Sequence, residues 1–371
     1  MVFPSIQRLW ANEKFQTAVQ ELKKNAQASP KKFAADAVTL FGTAKSFESH
    51  SIIGNKTLNT LGLHRFRVEQ AAKLAESRRE KLAKYLSADE VEFFQQNGFI
   101  LKENFLPEDG FKALSKELLE TALDTRETLQ GDTVTRRMAL DGQVLKQLPH
   151  TKRLLESKHW RALLNYVNSS KVQPMYYVQV IISHVRKARP DPQTNLHSDT
   201  FHSNMKAWLF LTDVAEDEGP FVYVPGSHIL NEKRLEWEYQ RSISINSKTD
   251  AMSRRGSLRI QPNELAELGY GQPQAFAVKK NTLVIADTYG FHARGPSVRR
   301  SIRIELWAYG RRSPFLPWVG LHLLAMPVIK DHLIPWYWKG LDYLEQKYQR
   351  KNPWRKVGKL LATDEAVVKT K

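Results

Sequence analysis

The stretch 282–310, TLVIADTYGFHARGPSVRRSIRIELWAYG, decides the fold class. It contains two runs of β-branched and aromatic residues, LVIAD and SIRIELWAY, separated by a segment rich in glycine, proline and charge. Runs of this kind, bounded by turn residues, predict β-strands. In the second run Ile302, Ile304 and Leu306 alternate with polar and aromatic residues. That alternation is the period of a strand with one buried face.

Earlier segments extend this pattern back to Pro174. The runs MYYVQVIIS, AWLFLTDV, PFVYVPG and FAVKKNTLVIAD are again β-branched and aromatic, with turn residues between them. Several short strands at this spacing predict a β-sandwich or a barrel. The polar, Arg- and Ser-rich segment 231–274 interrupts the series, and we interpret it as an insertion between two strands.

Helical patterns flank the strands. From Pro4 to Tyr85 the chain is rich in Ala, Leu, Glu, Lys and Arg, which favour helices. Ser87 then begins a helix with a capping-box glutamate, and Gly98 ends it. FILKENFLP predicts a short strand, and PEDGFKALSKELLETAL predicts a further helix. We therefore expect three parts, which are a helical N-terminal extension (1–86), a mainly β domain backed by helices (87–312) and an aromatic, basic C-terminal extension (313–371).

The composition limits the chemistry that the chain can perform. Its 371 residues, 42% of them hydrophobic, suit a globular protein with a sizeable core. Cysteine is absent, which excludes disulfides and thiolate metal sites and leaves His, Asp and Glu as metal ligands. The net charge of +17 favours anionic partners. A general effect on solubility is the alternative explanation.

The start of the chain, MVFPSIQRLWANEKFQ, lacks the continuous apolar region of a signal peptide. No run of about 18 uncharged apolar residues predicts a membrane-spanning helix. The absence of cysteine is compatible with a reducing compartment. We therefore expect a cytoplasmic protein.

The segment 195–204, NLHSDTFHSN, contains the first candidate metal ligands. On a strand, His197 and Asp199 would point to the same face, because they are two residues apart. Two histidines and one carboxylate form a set that suits non-haem Fe(II) and leaves positions open. His292, between the two strand-like runs of 282–310, is a candidate for the third ligand.

Arg303 lies eleven residues after His292, inside an apolar strand pattern. A buried guanidinium is costly unless an anion pairs with it. A ligand carboxylate, bound through two hydrogen bonds, would be such a partner. A pair with Glu305 or another acid is the alternative.

The order of these motifs resembles a known family. From SADEVEFFQQNGFILKENFLPED through HSD and KAWLFLTDVAEDEGPFVYVPGSH to FHARGPSVRRSIR, residues 87–309 resemble the phytanoyl-CoA dioxygenase family of Fe(II)/2-oxoglutarate oxygenases. The resemblance implies a double-stranded β-helix, which is a jelly-roll or cupin-like barrel. It also implies that His197, Asp199 and His292 are the iron ligands and that Arg303 binds the C5 carboxylate of 2-oxoglutarate.

The resemblance assigns weaker roles to three further residues. Trp208 matches a tryptophan of the strand that lines the cofactor pocket, with a plain core position as the alternative. Gln179 lies on the preceding strand, where the family also lines that pocket. His228, in the VPGSH turn, matches a family mark that we interpret as structural and not as a ligand.

The activity that the resemblance implies is hydroxylation of a small molecule, with Fe(II), 2-oxoglutarate and O₂ as cofactor and cosubstrates. 2-Oxoglutarate would be decarboxylated to succinate in the same reaction. Two other classes stay open. One is a different metal-dependent enzyme on a cupin-like barrel, which would not need Arg303, and the other is a non-catalytic binding module of this fold.

The sequence says less about the substrate. Arg294 stands where the family often has a small hydroxyl residue, and it would add positive charge at the mouth of the site unless it points to solvent. Together with the basic chain ends, this favours an anionic or lipid-related small molecule. His202 lies at an odd offset from Asp199, so on a continuing strand it would face away. We expect it to be structural or at the pocket rim, with substrate contact as the other possibility.

The C-terminal stretch FLPWVGLHLLAMPVIKDHLIPWYWKGL mixes aromatic and basic residues. Such a mixture suits peripheral contact with an acidic membrane surface. A C-terminal helix packed on the barrel is the alternative. The basic residues form no recognisable nucleic-acid-binding motif, so we expect no nucleic-acid partner.

Overall fold

The computed structural model describes residues 12–189, 191–320 and 326–368. The predicted start of the helical region at Pro4 lies outside these residues, as does part of the aromatic C-terminal stretch. None of the described helices is both long enough and apolar enough to span a membrane.

Helices occupy the N-terminal part and recur between the strands. The first five are α1 (Glu13–Ala28), α2 (Pro30–Thr39), α3 (Lys56–Thr60), α4 (Leu63–Ala83) and α5 (Ala88–Asn97). The next three are α6 (Glu108–Glu120), α7 (Pro149–Glu156) and α8 (Lys158–Val167). The last five are α9 (Glu232–Ser244), α10 (Ala251–Arg254), α11 (Pro262–Glu267), α12 (Pro327–Lys330) and α13 (Leu333–Tyr348).

The strands form two antiparallel sheets. The large sheet has the order β1-β8-β5-β10-β4-β3-β2-β11, and the small sheet has the order β7-β6-β9. The strands of the large sheet are β1 (Phe99–Lys102), β2 (Leu123–Gln130), β3 (Thr133–Ala139), β4 (Met175–Ile182), β5 (Met205–Phe210), β8 (Leu283–Asp287), β10 (Ile302–Gly310) and β11 (Arg355–Leu360). Those of the small sheet are β6 (Phe221–Tyr223), β7 (Gln274–Phe276) and β9 (His292–Arg294).

The predicted mainly β core with helices is confirmed, but the described residues contain no closed barrel. The hairpin β2–β3 and the edge strand β11 were not anticipated. β11 lies in the predicted C-terminal extension and pairs antiparallel with β2. The C-terminal segment therefore extends the large sheet.

The predicted helix after Ser87 forms with its capping box. The Glu90 amide donates to Ser87 Oγ (3.2 Å), and the Ser87 amide donates to Glu90 Oε2 (3.0 Å). Gly98 ends the helix with φ +82°, in the left-handed region that favours glycine. The turn delivers the chain directly into β1.

Two apolar clusters sandwich the large sheet. The outer face packs against the helices through residues such as Leu114, Trp160 and Leu306. The inner face packs Trp208 and Trp307 against Phe221 of the small sheet. Because side chains alternate along each strand, the polar residues of the inner face point into the space between the sheets.

The N-terminal helices are fastened to the strand-rich part. Arg67 Nη2 donates to the Ala44 carbonyl (2.7 Å), and the guanidinium lies 4.1 Å from the Phe201 ring centroid. His64 Nε2 lies 2.9 Å from Glu238 Oε2 on α9, and both side chains are buried. The segment 231–274, which we interpreted as an insertion between strands, contributes α9 to this contact.

Candidate metal centre

Backbone pairing brings the two halves of the predicted metal site together. The His197 amide donates to the His292 carbonyl (3.0 Å), and the His292 amide donates to the His197 carbonyl (2.9 Å). The Asp199 amide donates to the Thr288 carbonyl (2.9 Å). Residues 197–199 thus lie against β9 and its approach, although they form an isolated bridge and not the continuous strand that we assumed.

The three side chains converge. Each of His197, Asp199 and His292 offers one ligand atom, and these atoms all lie within 4.8 Å of one another. His197 Nε2 is 3.8 Å from Asp199 Oδ1, and His292 Nε2 is 3.6 Å from Asp199 Oδ2. This is the spacing of ligands that share one ion without touching one another.

Hydrogen bonds select the ring nitrogens. His197 Nδ1 lies 2.7 Å from the Asn195 carbonyl, and His292 Nδ1 lies 2.9 Å from the Gly290 carbonyl. Since a carbonyl can only accept, each Nδ1 carries the proton and each Nε2 keeps a free lone pair. Both Nε2 atoms are buried and have no hydrogen-bond partner among the described residues. A divalent ion would fill this need.

The electrostatics agree with a ligand role. Burial, and next the neighbouring His292, hold the pKa of His197 well below 6.5. Burial lowers the pKa of His292 to about 4. Burial alone would raise the pKa of Asp199, but Lys206 and the two histidines hold it well below 3.8. At neutral pH the site is therefore two neutral imidazoles and one carboxylate.

Two lysines flank Asp199. Lys206 Nζ, on β5, lies 2.5 Å from Asp199 Oδ2. Lys45 Nζ, from the N-terminal extension, donates to the Asp199 carbonyl. The backbone and the side chain of this residue are thus each held by an ammonium group, one of which belongs to a segment 154 residues away.

The donor set fits a hard or borderline divalent ion. Two imidazole nitrogens and one carboxylate on one side of an ion leave the opposite side free for a cosubstrate. This arrangement is typical of non-haem Fe(II) sites. The orphaned Nε2 atoms are the observation on which this fit depends.

Arg303 lies in the same cavity as the three candidate ligands. Its Nη1 donates to the Gly219 carbonyl (2.6 Å), and its Nε lies 2.9 Å from Oε2 of the fully buried Glu305. The pair with Glu305, which we gave as the alternative, is therefore present. Neither contact uses Nη2, so the guanidinium can still bind a carboxylate.

Gln179 and Trp208 both line this cavity, whose volume is about 210 Å³. Gln179 Nε2 donates to Glu305 Oε1 (2.7 Å), and Gln179 Oε1 accepts from Arg137 Nε (3.1 Å). The ring of Trp208 lies 4.5 Å from that of Phe221, measured between centroids. Both residues thus have structural contacts in addition to their place in the wall.

Arg294 also lines the cavity, and its Nη1 forms an ion pair with Asp191 Oδ2 (2.7 Å). The side chain is 15% exposed. It is therefore not a solvent-facing residue, which was the alternative, but a paired cation in the wall of the candidate site.

His202 does not line the metal cavity. It lies in the wall of a second cavity of about 610 Å³, bordered by α4 and by the turn that contains His228. The chain does not continue as a strand after Asp199, so the alternation of side chains along a strand does not determine where the His202 side chain points. This position agrees with the structural or rim role that we expected for His202, and its contact with substrate, which we gave as the other possibility, stays a prediction.

His228 is likewise separate from the candidate ligands. Its ring lies 5.1 Å from that of Phe94, between centroids, and it lines the second cavity. In the same turn, Ser227 Oγ accepts from the Phe291 amide (2.8 Å). These contacts fit the structural role expected of the turn.

The sequence interpretation missed several residues of the metal cavity. These are Thr128, Gln130, Thr135, Arg137, Gln193, Lys206, Phe221, Ala293, Trp307 and Trp354. Lys206 and Trp307 could have been found, because they share strands with Trp208 and Arg303. Arg137 and Trp354 could not, since they lie on or beside strands that were not predicted.

Part of the chain matches a known protein family. The model of the phytanoyl-CoA dioxygenase family matches residues 94–261. Comparison with curated proteins gives no match.

Similar solved structures include three proteins. The non-haem alpha-ketoglutarate-dependent carbocyclase SnoK from nogalamycin biosynthesis is 18% identical, with 62% of this chain and 85% of that chain covered and a TM-score of 0.38. AviO1 from Streptomyces viridochromogenes Tue57 is 17% identical (60% and 94% covered, TM-score 0.38). HygX from Streptomyces hygroscopicus, with nickel and 2-oxoglutarate bound, is 17% identical (65% and 92% covered, TM-score 0.39).

Proposed function

We propose that this chain is a non-haem iron, 2-oxoglutarate-dependent dioxygenase that hydroxylates an anionic small molecule, because residues 94–261 match the model of the phytanoyl-CoA dioxygenase family. His197, Asp199 and His292 are the proposed iron ligands. The observation that carries the proposal is their convergence in one cavity with Arg303. We also infer that the two facing sheets are the jelly-roll scaffold of this family.

The chemistry is divided between the bound groups and the chain. Iron and 2-oxoglutarate, when bound, would allow O₂ to act as the oxidant, with one oxygen atom used to convert 2-oxoglutarate to succinate and CO₂ and the other used to hydroxylate the substrate. His197 and His292 present neutral Nε2 atoms, and Asp199 presents its carboxylate. Arg303 holds the far carboxylate of 2-oxoglutarate through the guanidinium edge that Gly219 and Glu305 leave free.

Other residues position these groups. Glu305 fixes the Arg303 guanidinium and also accepts a hydrogen bond from Gln179. Trp208 and Phe221 form an apolar wall beside the site and limit the access of water. Buried contacts therefore hold Arg303 and the wall of the proposed site in position, as is general for metal sites.

The charge of the cavity supports an anionic substrate. Its described lining contains four cationic side chains, Arg137, Lys206, Arg294 and Arg303, against the carboxylate of Asp199 in the lining and those of Asp191 and Glu305, which pair with Arg294 and Arg303. A bound Fe(II) adds two further positive charges, whereas 2-oxoglutarate adds two negative ones. The balance stays positive, so a negatively charged substrate is favoured.

Turnover assays test the proposal. Purified protein with Fe(II), O₂ and 2-oxoglutarate is expected to form succinate, and formation should rise with a correct substrate. His197→Ala and Asp199→Ala should abolish it, whereas His150→Ala, at an exposed position on α7, should not. Equal succinate formation by wild type and His197→Ala would reject the assignment.

A second proposal concerns location: a cytoplasmic protein that contacts acidic membrane surfaces. Four aromatic side chains of α13 are about half exposed, namely Trp336, Tyr337, Tyr343 and Tyr348. Trp338 of the same helix instead packs near Tyr177, with 5.8 Å between ring centroids. Sedimentation with acidic liposomes at physiological salt tests the proposed membrane contact, and absence of binding would reject it.

A further inference from the structure

Arg137 is the cation of the metal cavity that has no acidic partner. It lies on β3, opposite Gln179 of β4, and is only partly buried. Its Nε donates to Gln179 Oε1, which belongs to a neutral amide. Among the described residues no ion pair joins it to a carboxylate and no hydrogen bond uses its Nη1 or Nη2, and the residue lines the cavity.

The other cations of this cavity are paired. Lys206 lies 2.5 Å from Asp199, Arg294 lies 2.7 Å from Asp191, and Arg303 lies 2.9 Å from Glu305. Arg136, the neighbour of Arg137 in the chain, points to the opposite face and is bound by Glu127 and by backbone carbonyls. Among the described residues, Arg137 is thus the cation lining this cavity that forms no ion pair with a carboxylate.

Aromatic rings hold the Arg137 guanidinium in place. Its central carbon lies 4.1 Å from the ring centroid of Trp307 and 4.7 Å from that of Trp354. Stacking fixes the plane of the guanidinium but does not neutralise its charge. A guanidinium fixed in this way, with free donors and no counter-ion, is prepared to bind an oxyanion through two hydrogen bonds.

We propose that Arg137 binds an acidic group, a carboxylate or a phosphate, of the substrate. The inference rests on the proposed function, which uses one carboxylate of 2-oxoglutarate at the metal and the other at Arg303. The guanidinium of Arg137 then remains as a positively charged hydrogen-bond donor for the substrate. Trp354 belongs to the segment before β11, so the C-terminal extension forms part of the substrate site.

The substrate class follows from the surroundings of Arg137. The acidic group lies beside Trp307 and Trp354, so the atoms next to it meet flat aromatic walls. A small molecule with one oxyanion on an aromatic or otherwise flat apolar body fits these walls. Its distal part then extends toward the candidate metal ligands, which line the same cavity.

Binding of simple probes tests the proposal. Protein loaded with Fe(II) and 2-oxoglutarate without O₂ is titrated with phenylacetate, phenyl phosphate and the neutral phenylacetamide by calorimetry. We expect at least one of the two anions to bind about tenfold more tightly than the amide. The preferred anion identifies the acidic group, and binding of neither anion more tightly than the amide would overturn the proposal.

Variants locate the effect. Arg137→Met should abolish the preference for the anion, and Arg137→Lys, which keeps the charge without the planar fork, should retain part of it. Trp354→Leu should weaken binding of the anion. Arg153→Met, at an exposed position on α7, is the matched control and should behave as wild type. Circular dichroism and thermal unfolding establish that each variant is folded.

A separate measurement distinguishes the substrate role of Arg137 from the proposed function itself. The 2-oxoglutarate affinity of the Fe(II) protein should change less than about threefold in Arg137→Met. A large loss would overturn the substrate role and assign Arg137 to the cosubstrate. Failure of the wild-type protein to bind Fe(II) and 2-oxoglutarate would reject the proposed function, whereas normal binding of both without any anion preference rejects only the role of Arg137.

Discussion

The two histidines of the candidate centre are neutral before any ion binds. Burial lowers the pKa of His292 to about 4 and that of His197 well below 6.5, and backbone carbonyls fix the proton on Nδ1 in both rings. A metal ion therefore meets two free lone pairs and does not have to displace a proton. The site is prepared for its ion at neutral pH.

This preparation predicts a flat pH dependence of metal binding. Protons compete with a metal only below the pKa of its ligands, and here these values lie well under the usual 6.5 for histidine. Co(II) affinity, measured from its visible absorption, should change less than about threefold between about pH 5.5 and 8. A steep loss of affinity as the pH falls through about 6.5 would show that the rings are ordinary imidazoles.

Arg303 gives a second prediction at this scale. Replacing it by glutamine removes the charge that would hold the far carboxylate of 2-oxoglutarate. The KM for 2-oxoglutarate should rise about 10- to 100-fold, because a charge-assisted hydrogen-bond pair is lost. Arg299→Gln is the matched control, since Arg299 is exposed and pairs with Asp217 at the surface. An unchanged KM in Arg303→Gln would contradict the assignment of Arg303 to the far carboxylate of 2-oxoglutarate.

At the scale of elements, the sequence predicted best where strands bury one apolar face. β4 and β5 were predicted from their β-branched and aromatic runs, β10 also from its alternation, and the helix from Ser87 to Gly98 from its capping residues. The order of the sequence motifs also predicted that the three candidate ligands and Arg303 belong to one site. The structure places all four residues in one cavity.

The hairpin β2–β3 escaped prediction for a physical reason. Its inward side chains include Thr128, Thr135 and Arg137, which line a polar cavity and therefore break the apolar pattern of a strand. β11 escaped because its basic sequence lies at the sheet edge, where solvent covers much of it. Polar strands that border an active site resemble loops in sequence.

The turn at Gly98 gives a prediction for one element. Gly98 and Gly62 both have positive φ, +82° and +97°. A Cβ at Gly98 would lie 2.4 Å from His228 Nδ1, whereas one at Gly62 would meet nothing within 4 Å. Both alanine variants carry backbone strain of about 1–2 kcal/mol, and Gly98→Ala should lose about 1–3 kcal/mol more through overpacking.

Thermal and urea unfolding of the two alanine variants measure this difference. Equal loss of stability in both variants would contradict the close packing of His228 against the turn.

At the scale of the whole molecule, both predicted extensions contribute residues that contact or line the candidate metal cavity. Lys45 donates to the Asp199 carbonyl from the loop between α2 and α3, and Trp354 lines the metal cavity from the C-terminal segment. No local pattern could reveal either contact, because each joins residues far apart in the chain. The division into three parts stays a prediction, and residues from each of the three predicted parts lie at or next to the candidate site.

Buried histidines predict a loss of stability in acid. Burial lowers the pKa of both His202 and His228 to about 3. Below about pH 6.5 these two histidines become protonated in the unfolded chain but stay neutral in the folded protein. Because the unfolded state then binds more protons, the free energy of unfolding should decrease as the pH falls toward 4. The double variant His202→Gln/His228→Gln should have a shallower decrease in urea unfolding. An equally steep decrease in that variant would contradict this origin.

The central claim is that His197, Asp199 and His292 hold one iron ion to which 2-oxoglutarate binds. Anaerobic addition of Fe(II) and 2-oxoglutarate to the purified protein tests it most directly, with the visible charge-transfer absorption of the Fe(II)–2-oxoglutarate chelate as the readout. We predict one equivalent of absorbing complex in wild type, none in Asp199→Ala or His292→Ala, and full formation in the exposed control His150→Ala. Absence of the band in wild type, or its full formation in the ligand variants, would contradict this claim.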